Sequence, residues 1–512
     1  MGLRTGKQYV ENLRRGEREV WLRGQRIADV TTHPAFARPL AHTAGLFDLQ
    51  HDPAHADVLT WKTESGQTVS TAFLPCRTKE DLAKRAAAYR ITAEATLGMM
   101  GRSPDFLGSV IYGFSESADL LEPLGGEFAQ NLRDYAALVR DEDLFLTHAI
   151  VTPQIDRSKG STAQAEEFLH LGVVRETPEG LVVRGARMLA TMGPIADEVM
   201  VYSTAHQKEE DSNYVFIFAM PIATPGIRQI CREPYDDGNR LPENHPMASN
   251  FEDSDTLIIF DDVLVPWKRV FAYNNVPVIN TFHAQNSGKN HSSHQAAVRG
   301  LVKLEFVVGL LMEVVKANGS EKFLHVQQMV GECVHYIELM KSCLARALSE
   351  AEPGPGGTLK PPLIATNTGR MLTSRFYSRI IEIMQIVGAG GMQMMPSMED
   401  FDSPIAADVR KYYQGAAGVD AEKRVKLYKM AWDICGEAFG ARQVQYERYH
   451  QGDPVRNMAG LFLTYDKSVC LGLVERAIRT TQSEPLAIVS DPVGTTHDAA
   501  SPRPVLSLVS VA

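Results

Sequence analysis

The sequence has few cysteines, and their spacing does not suggest a cross-linked or metal-bound fold. Its 512 residues include six widely separated cysteines, and no CxxC pair occurs. Disulfide frameworks and zinc sites bring cysteines together at short, regular spacings. We therefore expect reduced thiols in a cytoplasmic protein. His291 and His294 have no carboxylate at helical spacing from the pair, so we expect no metal site there.

Long apolar runs and an excess of positive charge are also absent. No stretch of about 18 apolar residues occurs and the first residues are charged, so we expect neither a membrane helix nor a secretory signal. The 52 Lys and Arg residues against 62 Asp and Glu residues give a formal net charge of −10. Such a chain is poorly suited to bind nucleic acid or an anionic membrane through bulk charge.

Hydrophobic patterning divides the chain into three parts and a tail. Residues 1–145 have a mostly helical pattern, whereas residues 146–275 contain short runs rich in β-branched residues, several of which alternate with a period of two. Residues 276–482 return to apolar residues spaced three and four apart, which is typical of a helical bundle. Residues 483–512 are rich in Pro, Ser, Thr and Ala, which predicts an extended or disordered tail. The sequence thus predicts an α+β protein that is mainly α.

Individual elements follow from these patterns. Thr78 is a plausible N-cap and predicts a helix that continues to Met100, with acidic residues in its first turn. Further helical stretches are predicted at 126–139, 298–315, 321–350, 373–387 and 421–449. Strands are predicted for GLVVRGARMLAT, DEVMVYST, NYVFIFAM and DTLIIFDDVLVP.

Two polar residues in apolar surroundings are the first candidates for chemistry. Arg102 lies between segments that contain glycine and proline, and a buried arginine needs a partner. His148 lies where the helical pattern ends, and an unperturbed pKa of about 6.5 suits a general base. Taken singly, each residue is more often structural: an arginine that bonds carbonyls at a helix end, or a core histidine bonded to the backbone.

Further candidates follow in the β region. The planar fork of Arg157 suits a phosphate, and Gln154 can pair with the amide-like edge of a ring. Thr191, Ser203 and Thr204 place hydroxyl groups near predicted strand ends, where they can bond a ligand. All of these residue types are also common in ordinary turns and strands, so each signal is weak alone.

The order of several strings across the chain is more specific than any one of them. The strings are RTGKQYVENL at the start, DVTTHPAF near 30, GRSPDF at 101–106, THAIVTPQIDRS at 147–158, GARMLATMGPIADEVMVYST at 185–204, FDDVLVPWKRVF at 260–271, EIMQIVGAGGM at 382–392 and FGARQVQYERY at 439–449. With these strings the chain resembles, over about residues 3–480, the large oxygenase component of the two-component, reduced-flavin-dependent aromatic monooxygenases of the 4-hydroxyphenylacetate 3-hydroxylase family.

The resemblance implies a fold and a set of partners. The fold is similar to that of acyl-CoA dehydrogenases, with an N-terminal helical domain, a middle antiparallel β-barrel and a C-terminal helical bundle, usually in a homotetramer. The implied cofactor is FAD, used as FADH2, with O2 as co-substrate and a small aromatic substrate. A separate NAD(P)H:flavin reductase is also implied, because Gly388-Ala-Gly390-Gly391 follows a helical stretch and is no dinucleotide fingerprint.

The resemblance also assigns roles by position. Residues that match Arg102 and His148 hold the phenol oxygen of the substrate. Residues that match Ser203 and Thr204 lie at the far end of the substrate, where a carboxylate can be bound. The positions implied to contact the flavin are His148, Gln154, Ile155, Asp156, Arg157, Thr191, Gly440 and Arg442.

One substrate-binding position departs from the family pattern. 4-Hydroxyphenylacetate hydroxylases usually have Tyr where this chain has Phe106, and a hydrogen bond to a charged group contributes about 1.5–3 kcal/mol. Phe106 suits a bulkier, halogenated or differently substituted aromatic, and hydroxylation or dehalogenation of such a ring is an alternative. A non-phenolic acceptor also stays open.

Other flavoenzyme classes with this fold are further alternatives. An acyl-CoA dehydrogenase has a catalytic carboxylate, and a 4-hydroxybutyryl-CoA-type dehydratase adds an iron–sulfur cluster. Residues 95–110 contain no cysteine for such a cluster. The resemblance instead implies ortho-hydroxylation of a phenol by a flavin C4a-hydroperoxide, which we favour over these alternatives. Arg102, within about 4–6 Å, would lower the phenol pKa from about 10, and His148 would accept the proton.

Overall fold

The computed structural model describes residues 2–203 and 207–483. Thr204 and the tail after residue 483 lie outside the described residues, so the predictions made for them stay predictions. The described chain divides at Pro454 into two compact units. The division into three domains, predicted from patterning, is a finer statement and stays a prediction.

The N-terminal part is mostly helical, as predicted. Its elements are α1 (Gly6–Arg15), β1 (Glu19–Leu22), β2 (Gln25–Arg26), α2 (Pro34–Leu49), α3 (Ala56–Leu59), β3 (Thr60–Lys62), β4 (Thr68–Ser70), α4 (Lys79–Ala95), α5 (Pro104–Glu116) and α6 (Gly126–Asp141). Thr78 caps α4 through a reciprocal capping box with Asp81, which confirms the predicted helix start. The helix ends before Met100, because Leu97 and Gly98 adopt φ angles of 52° and 68°.

The middle part contains the predicted strands. Its elements are β5 (Leu146–Ala149), β6 (Gly172–Thr177), β7 (Gly180–Thr191), β8 (Glu198–Val201), β9 (Phe216–Pro221), β10 (Ile227–Cys231), α7 (Pro246–Phe251), β11 (Asp255–Pro266) and β12 (Val270–Tyr273). All four predicted strand strings contain a strand. β7 matches GLVVRGARMLAT and β11 matches DTLIIFDDVLVP residue for residue.

These strands form two sheets that share one core. The larger sheet has the order β2-β1-β10-β11-β7-β6, and the smaller one has the order β12-β9-β8-β5. β1 joins β10 in parallel, with Glu19 opposite Arg228, so the N-terminal part contributes to the larger sheet. Among the described residues, an isolated bridge between Val151 and Met188 connects the two sheets, and no closed barrel is seen.

The C-terminal part is again helical. Its elements are α8 (Val276–Gln285), α9 (Gly288–Ala317), α10 (Leu324–Ser349), β13 (Glu352–Pro353), β14 (Leu359–Lys360), α11 (Leu363–Gly388), α12 (Ala406–Tyr412), α13 (Ala421–Cys435), α14 (Ala438–Tyr449), α15 (Pro454–Thr464) and α16 (Ser468–Ser483). The stretch predicted as one helix at 421–449 is two helices, separated at Gly436. The result is a mainly helical α+β protein.

The long helix α9 lies at the centre of the helical part. It packs against α4, α5, α10 and α11. The predicted apolar stripe of α9 is buried, with Leu304 and Leu311 fully inaccessible to solvent. The helix predicted at 321–350 is α10, which begins only at Leu324, since Phe323 is its N-cap residue and is 56% exposed.

The structure can be compared with the sequence expectations for membrane helices, metal sites and cysteine thiols. No described helix has the length and apolar character needed to cross a membrane. Within the described ranges, no group of three or more His, Cys, Asp or Glu residues is placed to hold a metal ion. All six cysteines fall in the described ranges, and their thiols are free.

Candidate active site

The structure brings Arg102 and His148 into direct contact. Arg102 lies just before α5, whose first turn is set by Pro104, and His148 lies in β5. Nε of Arg102 donates to Nε2 of His148 at 3.2 Å. The two residues are buried, at 6% and 4% exposure. The strand and the helix start therefore place a guanidinium and an imidazole at one point.

The contacts of His148 define its tautomer. A guanidinium only donates hydrogen bonds, so Nε2 of His148 accepts and the ring proton is on Nδ1. Nδ1 lies 3.1 Å from the hydroxyl oxygen of Tyr202 and donates to it. Burial, and then the charge of Arg102, hold the pKa of His148 well below its usual range. His148 is therefore a neutral imidazole whose accepting nitrogen is next to Arg102.

Arg102 makes its other contacts to neutral groups. Its Nη1 donates to the hydroxyl of Tyr446 at 2.6 Å, and its Nη2 lies 3.5 Å from the carbonyl oxygen of His450. A Cβ at Gly101 would overlap the phenol ring of Tyr446, so glycine permits this approach. Among the described residues no carboxylate forms an ion pair with Arg102, which leaves its charge available to an anionic ligand.

Phe106 packs on both members of the pair. The guanidinium carbon of Arg102 lies 4.3 Å from the centre of the Phe106 ring. The rings of Phe106 and His148 meet edge to face, with centroids 6.0 Å apart. The residue that departs from the family pattern thus presents an apolar face where a tyrosine would bring a hydroxyl.

The predicted far end of the substrate site is described in part. Ser203 follows β8 and is half-buried. Its hydroxyl oxygen accepts from Nη1 of Arg187 at 3.3 Å. Thr204, the next residue, is outside the described ranges.

The predicted flavin segment after β5 is a loop with an accessible surface. Gln154, Ile155 and Arg157 are exposed, and Ile155 is 55% exposed. Asp156 orders the loop, because its carboxylate accepts from the amide of Ser158 at 3.0 Å and from its hydroxyl at 2.6 Å. Two polar side chains and one apolar side chain of this loop are therefore free to meet a ligand.

Thr191 and Arg442 belong to a buried ionic cluster. Nε and Nη2 of Arg442 each donate to Asp255 at 2.9 Å, and its Nη1 donates to Asp253 at 3.1 Å. Thr191 donates its hydroxyl to Asp255 at 2.7 Å. Burial alone would raise the pKa of Asp255, but Arg442 holds it well below its usual range. This cluster joins α14 to β7 and β11.

Gly440 has a packing role in the structure. A Cβ at this position would overlap the carbonyl oxygen of Ile434, so glycine allows α14 to approach the end of α13. The flavin roles of Gly440, Thr191 and Arg442 rest on the resemblance.

Three residues that contact predicted site residues were missed by the sequence reasoning. Tyr202 contacts His148, Tyr446 contacts Arg102, and Arg187 contacts Ser203. All three lie inside the strings that carried the resemblance, but their residue types gave no further signal.

Comparison with known proteins decides the family. The models described as 4-hydroxyphenylacetate 3-hydroxylase N terminal and C terminal match residues 5–272 and 279–479. The chain belongs to this family. The resemblance found in the sequence strings is thereby confirmed.

Curated relatives match over nearly their whole length. The 4-hydroxyphenylacetate 3-monooxygenase oxygenase component of Thermus thermophilus is 41% identical, over 91% of this chain and 95% of that protein. The protein of the same description from a Geobacillus species is 36% identical, over 94% and 98%. The oxygenase component of 4-nitrophenol 2-monooxygenase from a Rhodococcus species is 33% identical, over 88% and 86%.

Solved structures agree with this assignment. An oxygenase component (HpaB) of 4-hydroxyphenylacetate 3-monooxygenase, complexed with FAD and 4-hydroxyphenylacetate, has a TM-score of 0.89 and 40% identity, and the match covers 93% of this chain and 99% of that chain. An archaeal 4-hydroxybutyryl-CoA dehydratase has a TM-score of 0.83 at 19% identity, over 94% of this chain and 96% of that chain. At that identity, the likeness to the dehydratase concerns the fold alone.

Proposed function

We propose that this chain is the oxygenase component of an FADH2-dependent aromatic monooxygenase that hydroxylates a phenol at the ortho carbon. The observation that carries the proposal is the buried contact between Arg102 and His148 at 3.2 Å. Relatives whose names specify 4-hydroxyphenylacetate and 4-nitrophenol support a phenolic substrate. One atom of O2 enters the ring and the other leaves as water, while FADH2 from a separate NAD(P)H:flavin reductase is oxidised to FAD.

The loop that follows β5 along the chain has side chains that suit a flavin. Gln154 and Arg157 offer donors on an exposed loop, and Ile155 in the same loop offers an apolar surface. The loop is tied to β7 because the amide of Met188 donates to the carbonyl of Val151 at 2.8 Å. The next residue on β7, Leu189, is 48% exposed and adds a second apolar side chain. Donors beside apolar side chains are what an amphipathic ring system requires.

The reaction assigns different tasks to the two central residues. The bound reduced flavin, with O2, supplies the electrophilic oxygen that side chains do not provide. The positive charge of Arg102 lowers the pKa of a phenol placed beside it, so the phenolate forms more readily. Nε2 of His148 can accept the phenol proton once the phenol takes the place of the Arg102 donor, since Nδ1 already carries a proton. The phenolate then directs electron density to the ortho carbon.

The identity of the phenol depends on the apolar surface of Phe106. The Phe106 ring contacts Arg102 and His148 without offering a hydrogen bond. This surface favours rings that carry additional apolar or halogen substituents beside the hydroxyl. Hydroxylation or dehalogenation of such a substituted phenol is therefore our second candidate.

We extend the proposal to the larger organisation of the protein. The family resemblance supports a middle β-barrel between helical domains, and a homotetramer. Exposed apolar residues on α15 and α16, among them Phe462 and Leu471, support an assembly of several subunits. Free thiols at all six cysteines support a cytoplasmic location.

Oxygen consumption with added FADH2 tests the function directly. The purified protein is mixed with a panel of phenols, halophenols and hydroxycinnamates, and the products are examined by mass spectrometry. We expect at least one phenol to gain one oxygen atom, with O2 consumption coupled to product. Hydrogen peroxide as the sole product with every phenol would refute the proposal. Reduction of bound FAD by an acyl-CoA would instead support an acyl-CoA dehydrogenase.

A further inference from the structure

Arg370 on α11 is a partly buried cation whose hydrogen-bond partners are all neutral. Its Nε donates to Oε1 of Gln451 at 3.0 Å, and its Nη2 donates to the carbonyl of Gln451 at 3.2 Å. Its Nη1 donates to the hydroxyl of Ser293 and to Oδ1 of Asn367. Among the described residues, no carboxylate forms an ion pair with Arg370.

A second guanidinium without a carboxylate partner lies close to Arg370. Nη2 of Arg102 lies 3.5 Å from the carbonyl oxygen of His450, the residue before Gln451. The two arginines therefore contact consecutive residues of one segment, His450–Gln451. Burial, followed by the charge of Arg102, lowers the pKa of Arg370 to about 10, as expected for two like charges near each other.

Other neighbours connect Arg370 to His148 by a second route. Partial burial, followed by the charge of Arg370, lowers the pKa of Lys289. Burial, followed by the charge of Lys289, lowers the pKa of His283 to about 4. The ring of His283 stacks on that of Tyr202, with centroids 6.3 Å apart, and the hydroxyl of Tyr202 contacts His148. Arg370 is thus linked on two sides to the proposed phenol site.

The other titratable groups around this site do not compensate its positive charge. Burial lowers the pKa values of the histidines and raises those of the tyrosines, so all of them are neutral near pH 7: His148, His283, His450, Tyr202 and Tyr446. The nearby Glu447 is already paired with Arg299 and Lys303. Charges removed from water need an opposite charge, so the arrangement favours a ligand that becomes an anion beside Arg102.

We propose that Arg370 is a positioning residue that acts on the bound phenol through Arg102. It holds the segment His450–Gln451 that Arg102 contacts, and it adds a second positive charge, so that the site binds a phenolate in preference to the neutral phenol. The inference rests on the proposed function, because it assumes that a phenol binds beside Arg102 and His148. At an effective dielectric constant of about 20, a charge about 10 Å from the phenol oxygen changes the phenol pKa by about one unit.

4-Nitrophenol is a suitable probe, because its neutral and ionised forms absorb at different wavelengths. It is bound to the FAD-loaded protein, and the pKa of the bound phenol is measured from difference spectra at a series of pH values. The variants are Arg370→Gln, which removes the charge, and Arg370→Lys, which keeps it. Arg379→Gln is the matched control, because Arg379 lies further along α11 and is paired with Glu332 and Glu382.

The expected result is a specific loss of phenolate binding. The wild type should bind 4-nitrophenol with a pKa below its value in solution. Arg370→Gln should raise the pKa of the bound phenol by about one unit, which weakens phenolate binding about tenfold and leaves binding of the neutral form unchanged. Arg370→Lys should retain most of the effect, and Arg379→Gln all of it.

Other results would overturn the inference. Equal weakening of both forms in Arg370→Gln would assign Arg370 to the fold. Weaker FAD binding with an unchanged phenol pKa would assign it to the flavin. An unchanged phenol pKa with normal FAD binding, or a wild type that binds 4-nitrophenol with its solution pKa or not at all, would also contradict the role of Arg370.

Lys289→Gln keeps the test decisive if Arg370→Gln does not fold, because the side chain of Lys289 reaches solvent. This variant should raise the pKa of bound 4-nitrophenol by a smaller amount, and an unchanged value would contradict the inference. A wild type that ionises 4-nitrophenol through Arg370 but hydroxylates no phenol would retain the inference and refute the proposed reaction. The two proposals therefore fail in different ways.

Discussion

The reactivity of His148 is decided by two single hydrogen bonds. Arg102 occupies Nε2 as a donor, and Tyr202 receives the proton on Nδ1. In histidines generally, the hydrogen-bond partner of one ring nitrogen determines whether the other nitrogen carries a proton or accepts one. A substrate phenol can therefore deliver its proton to His148 only at Nε2, where it has to replace the hydrogen bond from Arg102.

Removal of either member of the pair should uncouple the reaction. In Arg102→Ala and His148→Ala, FADH2 should still bind and react with O2, but product formation should fall by about a hundredfold to ten-thousandfold. The oxygen should then appear as hydrogen peroxide, because an unactivated ring does not accept it. Product per O2 consumed is the measurement. Normal coupling in either variant would contradict the roles assigned here.

Tyr202→Phe should affect His148 without touching the substrate oxygen. The change leaves the Nδ1 proton of His148 buried without an acceptor, which costs about 1–3 kcal/mol or reverses the tautomer. We expect kcat to fall about tenfold and the release of hydrogen peroxide to rise. Tyr9→Phe is the matched control, because it deletes a buried tyrosine hydrogen bond to Ile195 outside the site. Equal effects in both variants would reduce Tyr202 to a packing role.

At the level of elements, α9 connects the helical part to the site through buried polar groups. Arg299 and Lys303 of this helix pair with Glu447 of α14, at distances of 2.7–2.9 Å. Tyr446, the neighbour of Glu447, contacts Arg102. The ion pairs of Arg299 and Lys303 with Glu447 therefore hold α14 against α9. Helix α14 also carries Tyr446, one of the groups that contact Arg102.

We expect His294 on α9 to make the folded protein less stable at acidic pH. It is 1% exposed, neither ring nitrogen has a hydrogen-bond partner, and burial followed by nearby positive charges lowers its pKa to about 3. The unfolded chain protonates it near pH 6.5, so the unfolded state binds more protons below that pH and the folded state is destabilised.

His294→Phe removes this contribution and keeps the edge contact with Tyr89. From about pH 6.5 to about pH 5, the free energy of unfolding of the wild type should fall by about 2 kcal/mol more than that of the variant. Urea unfolding at several pH values measures the difference. His325→Phe, an exposed position on α10, should follow the wild type. Parallel curves for His294→Phe and the wild type would contradict this origin of the acid sensitivity.

Features that depend on nearby residues could be predicted from the sequence, whereas pairings between distant residues could not. The stripe through Leu304 and Leu311 could be predicted because it depends on neighbours three and four residues away in the same helix. The parallel pairing of Glu19 with Arg228 could not, because it joins residues 209 positions apart. Likewise, Arg102 and His148 were each ambiguous from their residue types, and only the order of strings along the chain indicated that they meet.

At the scale of the whole molecule, the unit that follows Pro454 has an exposed apolar surface that suits contacts between subunits. Its helices α15 and α16 expose large apolar side chains to solvent, which are Phe462 at 68%, Leu463 at 73%, Val469 at 68%, Leu471 at 58% and Leu473 at 54%. An exposed apolar surface of this kind marks an interaction site in soluble proteins. The proposed homotetramer supplies an occupant, namely other copies of the same chain.

The double variant Phe462→Ser, Leu471→Ser should therefore shift the protein from tetramers to smaller species. Each large apolar side chain that is buried contributes about 1.5–3 kcal/mol, so the pair removes about 3–6 kcal/mol per subunit from the assembly. Sedimentation velocity at several protein concentrations measures the shift. Glu475→Ser is the control, because it changes an exposed charged residue on the same helix α16. A wild type that sediments as a monomer, or a double variant with the mass of the wild type, would show that these side chains do not hold subunits together.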